Sequence, residues 1–467
     1  MWAVPDVAGR TYAVFGLGRS GLAAAKALKA GRARVLAWDD RVEAQTAARD
    51  QDLPVVDLNR RDWGDVEALV LSPGVPWSLP KPHRIAQIAQ AVGVPITNDV
   101  ELFARSVAAL PANRKPRLVG ITGTNGKSTT TALMTHVLCE AGRRAIAGGN
   151  IGRAVFDLDP PHRGTVYVLE LSSFQLEHVK TLGCDVRLWL NLGEDHLDRH
   201  GDMAGYRAAK EGLFNAPGET TRYVIGVDDA DSRAVFAKLR GAYGGRVVPV
   251  SGARALGEGV YALDGALVDA TEGRARPLTD LKKSRALHGD HNGQNAAAAY
   301  AGCRAMGLTA EDIVAGLLSF PGLPHRLREV ARAGEVRFID DSKATNPDAA
   351  ARALSVYPRI YWIAGGRVKS RGLGPVLDRL GGVVRAYLFG ECAAHFAAEL
   401  EGRVAVARLD TLADAVRAAA AQALTEDCAS VVLLAPAAAS FDQFSDFEAR
   451  GRAFAEAVRG VLAERAL

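Results

Sequence analysis

With 467 residues, 48% hydrophobic and 24% charged, the chain is long enough to bury more than one core, and its length predicts about three domains. A net charge of +4 is too small to mark a nucleic-acid or membrane partner, and five scattered cysteines without a Cys-x-x-Cys pair argue against a disulfide framework or a zinc site. The opening "MWAVPDVAGR" has no apolar targeting core and no uncharged apolar stretch of about eighteen residues follows, so the expectation is a cytoplasmic monomer working on small molecules, with no membrane or nucleic acid involved.

In chain order, the first strands are "TYAVFG", "RVLAWD" and "ALVLS". Between the first strand and the helix after it, "GLGRSG" sets Gly16, Gly18 and Gly21 in Gly-x-Gly-x-x-Gly spacing, so backbone N–H groups at a helix start are aimed at a pyrophosphate. Asp39 and Asp40 end the second strand near the spacing of a ribose-binding acid. The pattern fits any nucleoside diphosphate or dinucleotide; a tight turn without ligand is the plain alternative.

After the break "LPANRKP" at 110–116, the strand "RLVGIT" runs into Gly123, Thr124, Asn125, Gly126, Lys127, Ser128 and Thr129 and then a helix over 127–141. The loop is one glycine short of a Walker A match, since Ile121 stands where that glycine belongs, yet it keeps the anion nest, the lysine and the magnesium-binding hydroxyl. ATP is the expected ligand. Glu170 ends "VYVLE", and "DVRLWLN" leads to "NLGEDHLDRH", which gathers Glu194, Asp195, His196, Asp198 and His200 where hard oxygen ligands for magnesium are needed, alongside ordinary solvated loop charges. "RYVIGV" follows as a strand, and alanine runs at 296–301 and 415–421 lie in helical patterns, where they read as packing.

A second break, "FPGLPHR" at 320–326, precedes "VRFID", a helix over 347–356, "RIYWIAG", "AYLF" and "SVVLLAP". Strands alternating with helices predict an α/β protein of three consecutive domains, 1–110, 111–321 and 322–467. The first and last are expected to be Rossmann-like, and the middle one a P-loop-like ATPase domain with a parallel-rich sheet.

The motifs "GITGTNGKST", "GGNIG", "ELSSFQLE", "EDHLDRH", "YRAAK", "HNGQN", "LPHR", "DDSKATN" and "ASFDQFSDFEARG" together resemble the Mur ligases over nearly the whole length, in order. "ELSSFQL" with "SKATN" resembles the type that adds D-glutamate. The resemblance implies a reason for two phosphate loops: one holds the UDP of UDP-N-acetylmuramoyl-L-alanine, the other ATP. It implies phosphorylation of the alanyl carboxylate, attack by the amine of D-glutamate and loss of phosphate. Carried onto this chain, it places Gly18, Arg19, Ser20, Asp39 and Gly74 on the uridine diphosphate, and Asn150, Ser172 and Gln175 along the muramoyl-alanine arm. Gly123 to Thr129, Asn292, Asn295, Arg326 and Asp341 take ATP. Ser128, Glu170, His196 and Lys210 support Mg2+, with Lys127, His196 and Lys210 catalytic. Lys210, which alone reads as a surface helix lysine, becomes the family's carbamylated lysine. Lys343, Thr345, Lys369, Ser440 and Phe447 place D-glutamate. The loop "AGGRVKSRGL" departs from the family's usual form and puts the register of Lys369 in doubt, and Ala435 and Ala438 stand where a serine and a cysteine are expected.

Three rivals stand beside this reading. A sister or folate-type ligase would take another amino acid. A nicotinamide oxidoreductase accounts for "GLGRSG" and Asp39 but leaves "GTNGKS" without use, and a non-catalytic nucleotide-binding regulator leaves the acidic cluster without use.

Overall fold

Short β-branched runs flanked by glycine and alanine-rich helices form three sheets in the computed structural model of the chain, which describes residues 2–284, 286–287, 290–367, 372–426 and 428–465. The first sheet consists of β1 (Thr11–Phe15), β2 (Arg34–Trp38), β3 (Val66–Leu71) and β4 (Ile96–Thr97) in the order β2-β1-β3-β4, all parallel. The chain reverses its winding at β1. Ligands of open parallel sheets lie in the crevice at such a reversal, beyond the carboxyl ends of the strands.

The second sheet is built from β5 (Arg117–Thr122), β6 (Ala145–Gly149), β7 (Val166–Glu170), β8 (Val186–Trp189), β9 (Arg222–Gly226), β10 (Val247–Ser251), β11 (Val260–Leu263), β12 (Ala266–Asp269) and β13 (Arg276–Asp280). Its order is β13-β12-β11-β10-β9-β8-β5-β7-β6, and only the pairings of β12 are antiparallel. β5 lies between β7 and β8, so the loops after all three open on one edge. The helices Lys127–Glu140 and Asp290–Ala305 cover this sheet, and Ala296, Ala297, Ala298 and Ala299 are fully buried there. The alanine run is packing, as its periodicity predicts: small side chains let helix and sheet approach closely.

The third sheet has β14 (Arg328–Ala333), β15 (Val336–Asp340), β16 (Ile360–Gly365), β17 (Val383–Phe389), β18 (Ala405–Arg408) and β19 (Ser430–Leu434) in the order β14-β15-β19-β16-β17-β18, parallel except at β14. The chain divides into two compact units, Met1–Phe320 and Pro321–Leu467. The first two sheets belong to the first unit and the third sheet to the second.

Every strand read from the sequence is present. The strands that were not read, β4, β6, β10 to β14 and β18, are short or partly exposed, and several carry glycine, proline or charge in place of a β-branched run. No described helix is long and apolar enough to cross a membrane.

Candidate active site

The first glycine loop lies where the sheet reverses. Gly16 has φ +87°, and a Cβ there would lie 2.7 Å from the Ser72 side chain. At Gly21 a Cβ would meet the Gly16 carbonyl at 1.9 Å, so only glycine lets the helix Arg19–Ala30 start this close to β1. A cavity of about 510 Å³ opens here. Gly18, Arg19, Ser20, Asp39, Gly74, Asn150 and Gln175 all line it. Ser172 is not among the lining residues. Its hydroxyl caps the short helix Ser173–Leu176 in a capping box with Gln175, so it shapes the turn that carries Gln175.

Asp39 is largely occupied by the loop itself. One carboxylate oxygen accepts from Leu17 N–H at 2.7 Å and the other from Arg41 N–H at 2.9 Å. Burial alone would raise its pKa, but these hydrogen bonds and the Arg41 guanidinium outweigh burial and hold it below the usual carboxylate range. The sequence reading missed the neighbouring group: His83 stacks on Phe15 with ring centroids 4.4 Å apart, and its Nε2 lies 3.0 Å from Asp40 Oδ2. An aromatic face beside a carboxylate suits a flat, hydrogen-bonding base.

The second loop is held from below. Gly123 and Gly126 have φ +153° and +83°, and a Cβ on Gly126 would fall 2.2 Å from Asn295 Oδ1. Asn295 also accepts from the Thr130 hydroxyl at 3.2 Å, and its amide donates to Asn292 Oδ1 at 3.2 Å. Asn191, at the end of the strand run "RLWLN", accepts from Asn125 N–H at 2.8 Å and returns a bond to the Asn125 carbonyl. Asn191 was not singled out from the sequence; its place at a strand end level with the loop was the available signal. The helix Lys127–Glu140, which carries Lys127, Ser128 and Thr129 in its first turn, has no acidic residue there to offset its positive end.

Two lysines converge on this loop. Lys127 Nζ donates to the carbonyls of Gly123 and Thr124 at 2.8 and 2.9 Å. Lys210 Nζ donates to the same Gly123 carbonyl at 2.8 Å and lies 4.6 Å from the centroid of the Tyr206 ring. The surface-lysine alternative is therefore corrected: Lys210 is only 1% exposed, because the helix Met203–Glu211 turns it into the edge of the sheet. Burial, and then the Lys127 charge, push its pKa well below the ordinary lysine value, against the opposing pull of Asp195 and Glu170.

Glu170 ends β7 and is buried. One oxygen accepts from Asn150 Nδ2 at 2.7 Å, whereas Oε2 is buried without a hydrogen-bond partner. Such an oxygen is costly unless a cation or donor reaches it, so Glu170 fits a divalent metal. Among the described residues no three His, Cys, Asp or Glu side chains form a ready-made metal cage. Phosphate oxygens would have to complete the shell. Asn150 joins the two regions, lining the first cavity while donating to Glu170.

The acidic cluster divides in two. His196 has φ +52°, starts the turn Leu197–His200 and keeps its side chain 48% exposed, 4.8 Å from the Phe174 ring between centroids. Arg199 and His200 are instead structural: Arg199 Nη2 bonds Glu177 Oε2 at 2.8 Å, and His200 Nδ1 lies 3.3 Å from Glu177 Oε1. Burial lowers the His200 pKa, against the opposing effect of Glu177.

In the second unit, Asp341 is buried and its carboxyl is pushed up to about 8, with the Arg326 charge acting against that rise. Lys343 Nζ lies 3.9 Å from the centroid of the Phe447 ring, and the carbonyl of Lys343 accepts from Thr345 N–H at 2.8 Å. Ser440 is buried where the chain turns after β19. The residue that the sequence reading missed is Arg450 of "FEARG". Fully buried, it donates to Ser342 Oγ, to the Ser342 carbonyl and to the carbonyls of Gly365 and Ala438 at 2.9 to 3.2 Å, so it joins the loops after β15, β16 and β19. Burial lowers its pKa to about 10. Lys369 lies outside the described residues.

Residues 121–303 match the Mur ligase middle domain, and residues 325–438 match the Mur ligase, glutamate ligase domain. The chain is 50% identical over 454 residues to the UDP-N-acetylmuramoylalanine--D-glutamate ligase of Caulobacter vibrioides, covering 97% of this chain and 96% of that one. It is 48% identical over 470 residues to the enzyme of the same name from Cereibacter sphaeroides, covering 99% and 100%. Among solved structures, the UDP-N-acetylmuramate-alanine ligase of Thermotoga maritima superposes with a TM-score of 0.60 at 18% identity, over 97% of this chain and 99% of that one. A MurF ligase from the same organism, in complex with ADP, superposes with a TM-score of 0.55 at 17% identity, over 86% and 90%. At such identities the two structures speak for the fold alone.

Proposed function

The chain belongs to the Mur ligase family, and from that premise we propose that it joins D-glutamate to UDP-N-acetylmuramoyl-L-alanine with ATP as phosphoryl donor, a step of peptidoglycan precursor synthesis. The observation that carries this reading is the convergence of Lys127 and Lys210 on the Gly123 carbonyl, with Glu170 near enough to act on Lys210 electrostatically. The Lys127 cation, with a carboxylate beside the same glycine loop, supplies what phosphoryl transfer needs.

The cavity behind Gly16–Ser20 takes the uridine diphosphate, and the muramoyl-alanine arm runs past Gln175 and Asn150 toward Glu170. The loop 123–129 and Lys127 hold the ATP phosphates, with Asn292, Asn295, Arg326 and Asp341 serving the adenosine and terminal phosphates. The γ-phosphoryl group passes to the alanyl carboxylate, giving an acyl phosphate and ADP. The deprotonated amine of D-glutamate, placed by Lys343, Thr345, Ser440 and Phe447, then attacks the acyl carbon, and phosphate leaves as the amide forms. Lys369 is assigned here by the resemblance alone. Exclusion of water protects the acyl phosphate until the amine arrives.

Ser128, Glu170, His196 and Lys210 would hold Mg2+, which when bound neutralises phosphate oxygens during transfer. The depressed pKa of Lys210 favours its neutral amine, the form that adds carbon dioxide to give a carbamate and release a proton. That change turns a buried cation into an anion suited to a metal. The proposal also includes a cytoplasmic monomer and domain boundaries near 110 and 321.

The test is phosphate release with UDP-N-acetylmuramoyl-L-alanine and ATP, comparing D-glutamate with L-glutamate, L-alanine and meso-diaminopimelate. Release that depends on D-glutamate is expected. Preference for another amino acid would move the chain to a sister activity.

A further inference from the structure

In the first unit, the wall of the sugar-nucleotide cavity formed by Pro73, Gly74, Val75 and Pro76 leads directly into Trp77. The Trp77 indole donates to Glu177 Oε2 at 2.9 Å, and its ring lies edge-on to His178 with centroids 5.1 Å apart. Two residues on, the Leu79 side chain lies beside Gly201, close enough that a Cβ added there would come within 3.3 Å of it. The chain that continues from the cavity wall therefore runs close beside Gly201, which follows the turn Leu197–His200.

Glu177 is also the acceptor for that turn. Arg199 reaches both carboxylate oxygens, Nη2 at 2.8 Å and Nε at 3.3 Å, and His200 Nδ1 lies 3.3 Å away. The side chains of Glu177, Arg199 and His200 are 8%, 7% and 3% exposed. The other His200 nitrogen lies 3.0 Å from Ser173 Oγ, and Phe174 stacks on His200 while Arg199 sits over the Phe174 ring. A buried carboxylate shared by a guanidinium, an imidazole and an indole is a stiff joint, because moving one partner leaves a desolvated charge uncompensated. The residue that starts this turn is His196.

We propose that Glu177 is a positioning residue that ties the wall of the sugar-nucleotide cavity to the turn presenting His196, so that a diphosphate seated in the cavity sets the posture of the phosphoryl-transfer loop. The inference rests on the nucleotide reading of the cavity given above. It assigns Trp77 and Glu177 no contact with reacting atoms; they act through their neighbours.

Hydrogen–deuterium exchange with UDP alone tests this without turnover. In the wild-type chain UDP is expected to slow exchange at 73–77 and also at 193–201. Trp77→Phe keeps a ring against His178 but removes the donor; UDP should still protect 73–77, while protection of 193–201 is lost. In turnover, the same variant should lower kcat by about two- to thirtyfold with the KM for the sugar nucleotide unchanged. Glu177→Gln, which keeps an acceptor for Trp77 but discharges the pair with Arg199, should give the same pattern. Protection of 193–201 that is equal in wild type and variants, absent from the wild type, or accompanied by an unchanged kcat per folded enzyme would overturn the coupling and leave Glu177 as packing. No protection of 73–77 in the wild type would overturn the nucleotide assignment itself, and the coupling with it.

Discussion

Lys127 and Lys210, carried on two different helices 83 residues apart in sequence, donate to one and the same acceptor, the Gly123 carbonyl, each at 2.8 Å. Two ammonium groups sharing a carbonyl repel each other, and the buried one yields its proton more readily. An arriving anion, or loss of the Lys210 proton, relieves that repulsion further than Asp195 and Glu170 already do. Both outcomes belong to the proposed chemistry.

Lys127→Ala removes the partly exposed member of this pair. The fold should survive, and the rate of phosphate release should fall by on the order of 10², equivalent to roughly 3 kcal/mol of transition-state stabilisation. Near-normal turnover by the folded variant would sink the phosphate role.

Lys210→Ala should be nearly inactive, and acetate or formate should partly restore activity by replacing the missing carboxylate. Mass spectrometry of the wild-type chain in bicarbonate should find the carbamate adduct at this lysine. An unmodified lysine together with no rescue would leave Lys210 as a structural amine.

Gly126→Ala forces a side chain into backbone with φ +83° and against Asn295 Oδ1. Left-handed backbone costs an L residue about 1–2 kcal/mol before any clash is counted. ATP affinity, read by isothermal titration, should fall by at least about tenfold, consistent with that cost plus the displaced Asn295. Adding Asn295→Ala should not restore it, because the strain in φ remains and a residue proposed to hold ATP is lost. Affinity within a factor of about two of wild type would show that the loop adapts.

Arg450→Met leaves four buried acceptor contacts in the second unit without their donor. A loss of about 1–3 kcal/mol is expected in chemical denaturation, the range for leaving buried polar groups unsatisfied. A loss below about 1 kcal/mol would mean that the loops after β15, β16 and β19 hold together without the guanidinium.

Asp341 supplies a pH signature. Burial raises its carboxyl from the ordinary carboxylate range to about 8, so the folded chain holds this proton more tightly than the unfolded chain does. Stability from this group is then present at low pH and lost as pH climbs through that window. Asp341→Asn should raise the melting temperature relative to wild type more at about pH 8 than at about pH 5, since the amide has no proton to lose. Equal differences at the two pH values would show that Arg326 keeps the carboxylate ionised throughout.

The local pattern was enough to determine the parallel α/β character and the two glycine loops, whereas Gly74, Asn150 and Gln175 of the cavity lining were reached only through the resemblance. A strand feeding glycines and then a helix is specified within about a dozen residues, and burial on both faces writes a strand as a continuous apolar run. Gly16, Gly21 and Gly126 could be read because no other residue fits the backbone they occupy. Edge strands such as β13 and β18 could not be read, because half-exposed, charged or proline-bearing segments carry no such run. Nor could the sequence set the state of Lys210: "YRAAK" looks like any amphipathic helix until the sheet edge buries its last residue beside Lys127 and Glu170. Arg450, Asn191 and Glu177 escaped for the same reason. Their partners lie 12 to 108 residues away for Arg450, 66 and 103 for Asn191, and up to 100 for Glu177. Only the tertiary fold brings those donors and acceptors together, and the cost of burying a polar group unpaired then fixes their roles.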